Sequence, residues 1–205
     1  MYQKASILAI SLVLAVISPS IVSATISTDP SALPTFRNHV TFTAGSALSG
    51  SLDYAVYAPG FYDGSLSLPS NEYVYCYQIF DSPSSTVNID YFSVGLYPDV
   101  TVDNLTYDPA HPVAVSGGIN PLVEYLLSQT AALYLFPVSP ITPSSHSSVL
   151  LFASKNAPTM AFGVVSGGYT GGAVVSLPTP IPEPATLLLL GLGAVLLRKR
   201  RSYCS

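Results

Sequence analysis

The stretch from Glu72 to Phe80 constrains the fold more than any other part of the chain. At the two-residue repeat of a strand, Tyr73, Tyr75, Tyr77 and Ile79 fall on one face. Val74, Cys76 and Phe80, with Gln78, fall on the other. A strand that is apolar on both faces has to be covered on both, which places it in the middle of a sheet. The surrounding chain is built of the same material: Val, Ile, Thr, Tyr and Phe dominate, broken at short intervals by clusters of Gly, Pro, Ser and Asp.

Ser51 to Ala58 alternates, with Leu52, Tyr54, Val56 and Ala58 on one face and Ser51, Asp53 and Ala55 on the other, until Pro59-Gly60 turns the chain. Asp81-Ser82-Pro83-Ser84-Ser85 has the length of a hairpin loop, and Thr86 to Leu96 returns from it. Along that return the apolar parity shifts from Val87, Ile89 and Tyr91 to Phe92, Val94 and Leu96, the mark of a β-bulge. Further strands are expected at Ala131 to Phe136, Ser148 to Ser154, Thr159 to Val165 and Gly172 to Ser176. Leu122 to Gln129 reads as a short helix, with Leu122, Leu126 and Gln129 on one side, or as another strand; the helix is preferred. Short strands at this spacing predict an all-β chain, an antiparallel β-sandwich, with a closed barrel as the alternative.

The ends differ from the middle. Lys4, an apolar stretch from Ile7 to Ile17, Pro19 and the small residues Val22-Ser23-Ala24 form a secretory signal peptide, residues 1–24, with cleavage expected after Ala24. The ectodomain is expected over 25–177, followed by a Pro-rich linker over 178–184 that contains Pro182-Glu183-Pro184. An uncharged apolar run then covers 185–197, read as one short transmembrane helix, and Arg198, Lys199, Arg200 and Arg201 begin a basic tail, 198–205. At ~1.5 Å per residue the run spans about 20 Å, short of the ~30 Å hydrocarbon core, so thinning of the bilayer and outward-reaching basic side chains must make up the difference. The basic block orients the C-terminus to the cytoplasm.

A proline brake, the Pro-Glu-Pro triplet, a short apolar run and a basic block, in that order, resemble the C-terminal signal of PEP-CTERM proteins of Gram-negative bacteria. The resemblance implies that an exosortase-type membrane protease reads Pro182, Glu183 and Pro184 while the tail is held in the inner membrane. The Tyr73 to Phe80 strand, Tyr91 to Val94 and Leu150 to Ser154 resemble a pattern recurring in PEP-CTERM ectodomains. Those ectodomains are associated as a class with extracellular polysaccharide and biofilm.

Between Thr25 and Pro180 ten acidic residues face only Arg37 and Lys155, a net charge of −8. A domain this acidic is a poor partner for nucleic acid, whose affinity comes largely from Lys and Arg on phosphates. Cys76 has no partner in that region, since Cys204 belongs to the tail, and reads as a buried thiol.

Signals of chemistry are sparse. His39, His111 and His146 pair with no other ligand at metal-binding spacing, so no metal site and no cofactor are expected. No Gly-x-Ser-x-Gly elbow is present, because Gly163-Val-Val-Ser166-Gly167 has the wrong spacing, and the chain is read as a non-enzyme without catalytic residues. Asp99, Asp103, Asn104 and Asp108 read as a solvated acidic loop, with calcium ligation as the alternative. Tyr57, Phe61 and Tyr62 near the Pro59-Gly60 turn form the candidate surface row for a polysaccharide-binding module, the alternative to a structural or matrix-associated role.

Overall fold

The computed structural model describes residues 25–128, 130–168 and 171–182. The leader with Ala24, the residues Glu183 and Pro184, the apolar run and the basic block lie outside the described residues. Ten strands run in chain order: β1 (Arg37–Ala44), β2 (Leu48–Tyr57), β3 (Tyr73–Asp81), β4 (Tyr91–Gly95), β5 (Asp103–Asp108), β6 (Val123–Leu127), β7 (Ala131–Leu135), β8 (Val149–Ser154), β9 (Pro158–Ser166) and β10 (Gly172–Pro180). They form two five-stranded sheets, β1-β2-β3-β8-β5 and β10-β9-β4-β7-β6, with every strand pair antiparallel.

The described residues are therefore all-β apart from two short 3-10 turns, Ile26–Thr28 and Pro34–Phe36, and the two sheets share one core. Leu52, Tyr54, Val56, Tyr75, Tyr77, Ile79 and Phe152 of the first sheet pack with Phe92, Val94, Tyr134, Val165 and Val175 of the second. The rings of Tyr77 and Phe92 meet across the interface at 5.5 Å between centroids. The buried Tyr134 hydroxyl donates to the Leu151 carbonyl, 2.8 Å away, and that of Tyr77 donates to the Pro178 carbonyl. These bonds tie sheet to sheet without leaving a buried phenol unsatisfied.

β3 occupies the centre of its sheet, between β2 and β8, as its two apolar faces require. Its outer residues Val74 and Cys76 join Ile26, Ala32, Ala55, Tyr57, Val149 and Leu151 in a second cluster. Leu66, Leu68, Val113 and Ala114 cover that cluster from loops. The second sheet is different. Its outward positions Val174, Val164, Ser93, Leu133 and Tyr125 form one cross-strand row, and none is charged. Phe162 and Val174 are 70% and 66% exposed there.

Four expectations are corrected. The helix expected over Leu122 to Gln129 is replaced by a strand over its described part: β6, Val123–Leu127, pairs with β7 as an edge strand, so its leucines answer to cross-strand neighbours. The Ser-Pro loop after β3 is not a hairpin, because β3 and β4 lie in different sheets. Ser82 N–H donates to the Ser49 carbonyl and Thr86 N–H to the Ala47 carbonyl, so the β1–β2 turn captures the loop and sends the chain across. The parity shift in Thr86 to Leu96 is a break rather than a bulge: Ile89 makes an isolated bridge to Ile141, and β4 starts at Tyr91. Finally, β10 runs on to Pro180, taking Pro178-Thr179-Pro180 from the expected linker. An edge strand tolerates proline because only one side needs N–H donors.

Gly163 on β9 is closely hemmed in by its two neighbouring strands, β4 and β10. A Cβ there would sit 2.8 Å from the Ser93 carbonyl oxygen and 2.5 Å from Leu177 Cδ1, so no side chain fits.

Candidate functional site

The second cluster of the first sheet has a polar roof, and three separate segments build it. The first is Thr25 to Leu33. Ile26 and Ala32 are buried against the sheet, which fixes Asp29 between them. The Asp29-Pro30-Ser31 turn is closed by Ser31 N–H donating to Asp29 Oδ1 at 2.8 Å, the self-bonding typical of Asp at turns. The second segment is the loop between β2 and β3, which carries Asp63. The third follows β5 and carries His111.

Asp108, the last residue of β5, ties the second and third segments together. Its Oδ2 accepts from the Tyr62 hydroxyl at 2.7 Å and from Ser65 N–H at 2.7 Å. Its Oδ1 accepts from the Ser65 hydroxyl and from Ala110 N–H, the latter at 3.0 Å. Burial opposes ionisation of this carboxyl, but the hydrogen bonds from Ser65, Tyr62 and Ala110 outweigh it and hold the group below the usual carboxylate range. Asp63 is thereby clamped between two anchored neighbours, Tyr62 and Ser65.

Tyr57 rises from β2 into the middle of the roof. Its hydroxyl donates to Asp29 Oδ2 at 2.6 Å and lies 3.3 Å from His111 Nε2. Tyr57, Tyr62 and His111 pack as a triangle of rings with centroids 5.4, 5.9 and 5.6 Å apart. Burial pushes both phenols far above their ordinary range, so both stay protonated as donors. Burial also lowers the His111 imidazole, only partly offset by the carboxylates of Asp108, Asp63 and Asp29, so the ring is neutral. One carboxylate oxygen of Asp29, one of Asp63 and a ring nitrogen of His111 lie within 4.8 Å of one another. These are the residues that could hold a metal ion. Asp29 and His111 are buried and Asp63 is exposed.

Sequence spacing gave no sign of this group, since its members come from three distant turns. The local signs are Asp29-Pro30, Asp63-Gly64 and His111-Pro112, all turn dipeptides, which say only that each residue sits in a loop.

The other histidines are placed elsewhere. His39 Nδ1 lies 2.6 Å from Asp53 Oδ1 across β1 and β2. That is the orientation of a histidine–carboxylate dyad, but among the described residues no hydroxyl hydrogen-bonds the other ring nitrogen. His146 Nε2–H donates to the Ser116 carbonyl at 3.2 Å, with its ring stacked on Phe80. Ser166 is buried in β9, and its hydroxyl donates to the Gly171 carbonyl at 3.3 Å.

The expected aromatic row is not a surface row. Tyr57 is fully buried and Tyr62 turns its hydroxyl inward to Asp108, because both rings cap the apolar cluster beneath. Phe61 alone is outward, 64% exposed, at a groove of about 580 Å³ that it lines with Pro30, Pro34 and Ala58. The acidic stretch is corrected too. Asp103 to Asp108 is a strand, with Asp103 opposite Ala153 and Asp108 opposite Val149. At ~3.4 Å per residue these two carboxylates are too far apart to share one ion. Cys76 is fully buried, and burial pushes its thiol well above the ordinary range.

Of the Pro182-Glu183-Pro184 triplet, Pro182 is described. It follows Ile181, whose N–H donates to the Ala157 carbonyl at 3.0 Å just past the end of β10. Residues 180–201 match the family model of the PEP-CTERM protein-sorting motif. The chain carries a PEP-CTERM protein-sorting motif. The match begins on the last residue of β10, so the PEP-CTERM signal follows directly from the edge strand of the second sheet. Among curated proteins and solved structures nothing matches the chain. Among the described residues, no helix is long and apolar enough to cross a membrane.

Proposed function

We propose that this is a non-enzymatic protein of the cell envelope or extracellular matrix, delivered there as the substrate of an exosortase-type membrane protease. The observation that carries the reading is the sorting motif at 180–201, joined without a spacer to a folded, acidic all-β domain. In this reading the leader brings the chain across the inner membrane and the apolar run holds it there. The protease acts near Pro182-Glu183-Pro184, and the β-domain stays outside. Chemistry on the tail belongs to the protease.

The non-enzymatic part is supported by how the nucleophile and base candidates are used. His146 and Ser166 serve as structural hydrogen-bond donors, and among the described residues no hydroxyl hydrogen-bonds the second ring nitrogen of His39 in the His39–Asp53 pair.

The test is fractionation of host cells with and without the protease, alongside a Glu183→Ala chain. Loss of either is expected to leave the full-length protein in the inner membrane and to remove it from the outer envelope and medium. An unchanged distribution in both would defeat the sorting reading.

A further inference from the structure

The roof over the first sheet holds a chemical imbalance that hydrogen bonding within the protein does not resolve. Tyr57 has one hydroxyl proton, and the 2.6 Å bond gives it to Asp29 Oδ2. At the 3.3 Å contact with His111 the phenol oxygen is therefore the acceptor, and His111 Nε2–H is the donor. A neutral imidazole with its proton on Nε2 carries its lone pair on Nδ1. That Nδ1 is buried and has no hydrogen-bond partner, in a residue only 4% exposed. Nearby, Asp29 is 2% exposed, and among the described residues neither Asp29 nor Asp63 forms an ion pair. Arg37 donates to the backbone carbonyl of Asp29 rather than to its carboxylate, and Asp63 Oδ2 accepts from the Ser31 hydroxyl at 3.1 Å, so two carboxylates without an ion pair and a buried lone pair without a donor remain, each of them costly.

One kind of partner satisfies both at once. A divalent cation supplies the missing positive charge to two carboxylates and accepts the lone pair of a neutral imidazole. We propose that Asp29, Asp63 and His111 form a binding site for a divalent transition-metal ion that pins the N-terminal segment, the β2–β3 loop and the β5–β6 loop to one another. Ligand atoms around an ion at ~2.0–2.2 Å stand about 3–4 Å apart, so a group whose ligand atoms all lie within 4.8 Å of one another needs only a modest contraction to close on one ion. A mixed imidazole–carboxylate set favours zinc-like ions over calcium, whose ligands are oxygens. Three protein ligands leave the remaining positions to water. The site is independent of the sorting signal, and its failure would leave the sorting reading untouched.

The test is titration of full-length, untagged, EDTA-treated protein in detergent with Zn²⁺, and separately with Ca²⁺, by calorimetry and by thermal melting. One equivalent of Zn²⁺ is expected to bind and to raise Tm, with Ca²⁺ much weaker. Asp63→Asn should weaken Zn²⁺ binding by about tenfold or more while the apo protein melts as wild type, because Asp63 is exposed. His111→Asn should do the same to binding, and His39→Ala should leave it unchanged. Should His111→Asn fail to fold, Asp63→Asn decides the matter alone. The proposal is overturned by the absence of saturable Zn²⁺ binding, by binding that survives Asp63→Asn, by binding lost on His39→Ala, or by Ca²⁺ binding more tightly than Zn²⁺.

Discussion

Replacing Asp108 by Asn tests the architecture of the roof most directly. Each carboxylate oxygen accepts from one backbone N–H and one hydroxyl: Ser65 N–H with Tyr62 at Oδ2, and Ala110 N–H with Ser65 at Oδ1. An asparagine has one oxygen and one NH2. Whichever way the amide turns, one backbone N–H faces an NH2 and loses its acceptor. Hydroxyls can rotate towards water, but a backbone N–H cannot. One orphaned donor costs about 1–3 kcal/mol, and the surviving bonds lose their charge assistance, so the total is roughly 2–3 kcal/mol. For a domain of this size that lowers Tm by roughly 4–12 °C.

The assay is thermal unfolding by circular dichroism across a pH series. The Asp108 carboxyl in the folded protein lies below its ordinary value, so its contribution to stability is present above about pH 4 and is lost as the pH falls through the folded value. Asparagine has no such loss. The gap between wild type and Asp108→Asn should therefore be largest near neutrality and should narrow in acid. A Tm within about 1 °C of wild type at pH 7, or a gap that stays constant down to pH 3, would refute the reasoning.

Tyr77→Phe removes only the hydroxyl that joins the first sheet to Pro178 on β10. The orphaned buried carbonyl should cost about 1–2 kcal/mol in urea unfolding with the slope unchanged, and an unshifted midpoint would show that the bond contributes nothing. In a Cys204→Ser chain, Cys76 should resist maleimide in the native protein and react fully in urea, because it is buried and its thiol is held protonated. Rapid native labelling would contradict the covered outer face of β3.

The parts of this fold that are legible in the sequence are those whose pattern is local. β3 is readable because both its faces are apolar and no exposed position tolerates that. Its sheet neighbours are not readable: β8 lies far along the chain, and nothing in Leu150-Leu151-Phe152 names Tyr75 and Tyr77 as partners. β6 misleads because Leu122 and Leu126 have helical spacing, while the force that settles it, pairing with β7, is encoded in another segment. The loop after β3 misleads because its length suits a hairpin, whereas Ser49, Ser82 and Ser85 decide the route through hydrogen bonds that leave no periodic trace. The same limit applies to the Asp29, Asp63 and His111 group. Each residue looks like ordinary turn chemistry until the sheet beneath gathers the three loops. The sorting signal is the opposite case, since all its parts are contiguous.

The uncharged outer row of the second sheet has a practical result for anyone studying this protein. Solvatochromic dyes that light up on greasy surfaces will find Val174, Phe162 and Tyr125 already accessible in the fully folded molecule. Fluorescence from such a dye will start high and report this surface rather than melting, so its signal should not be read as a molten or damaged preparation.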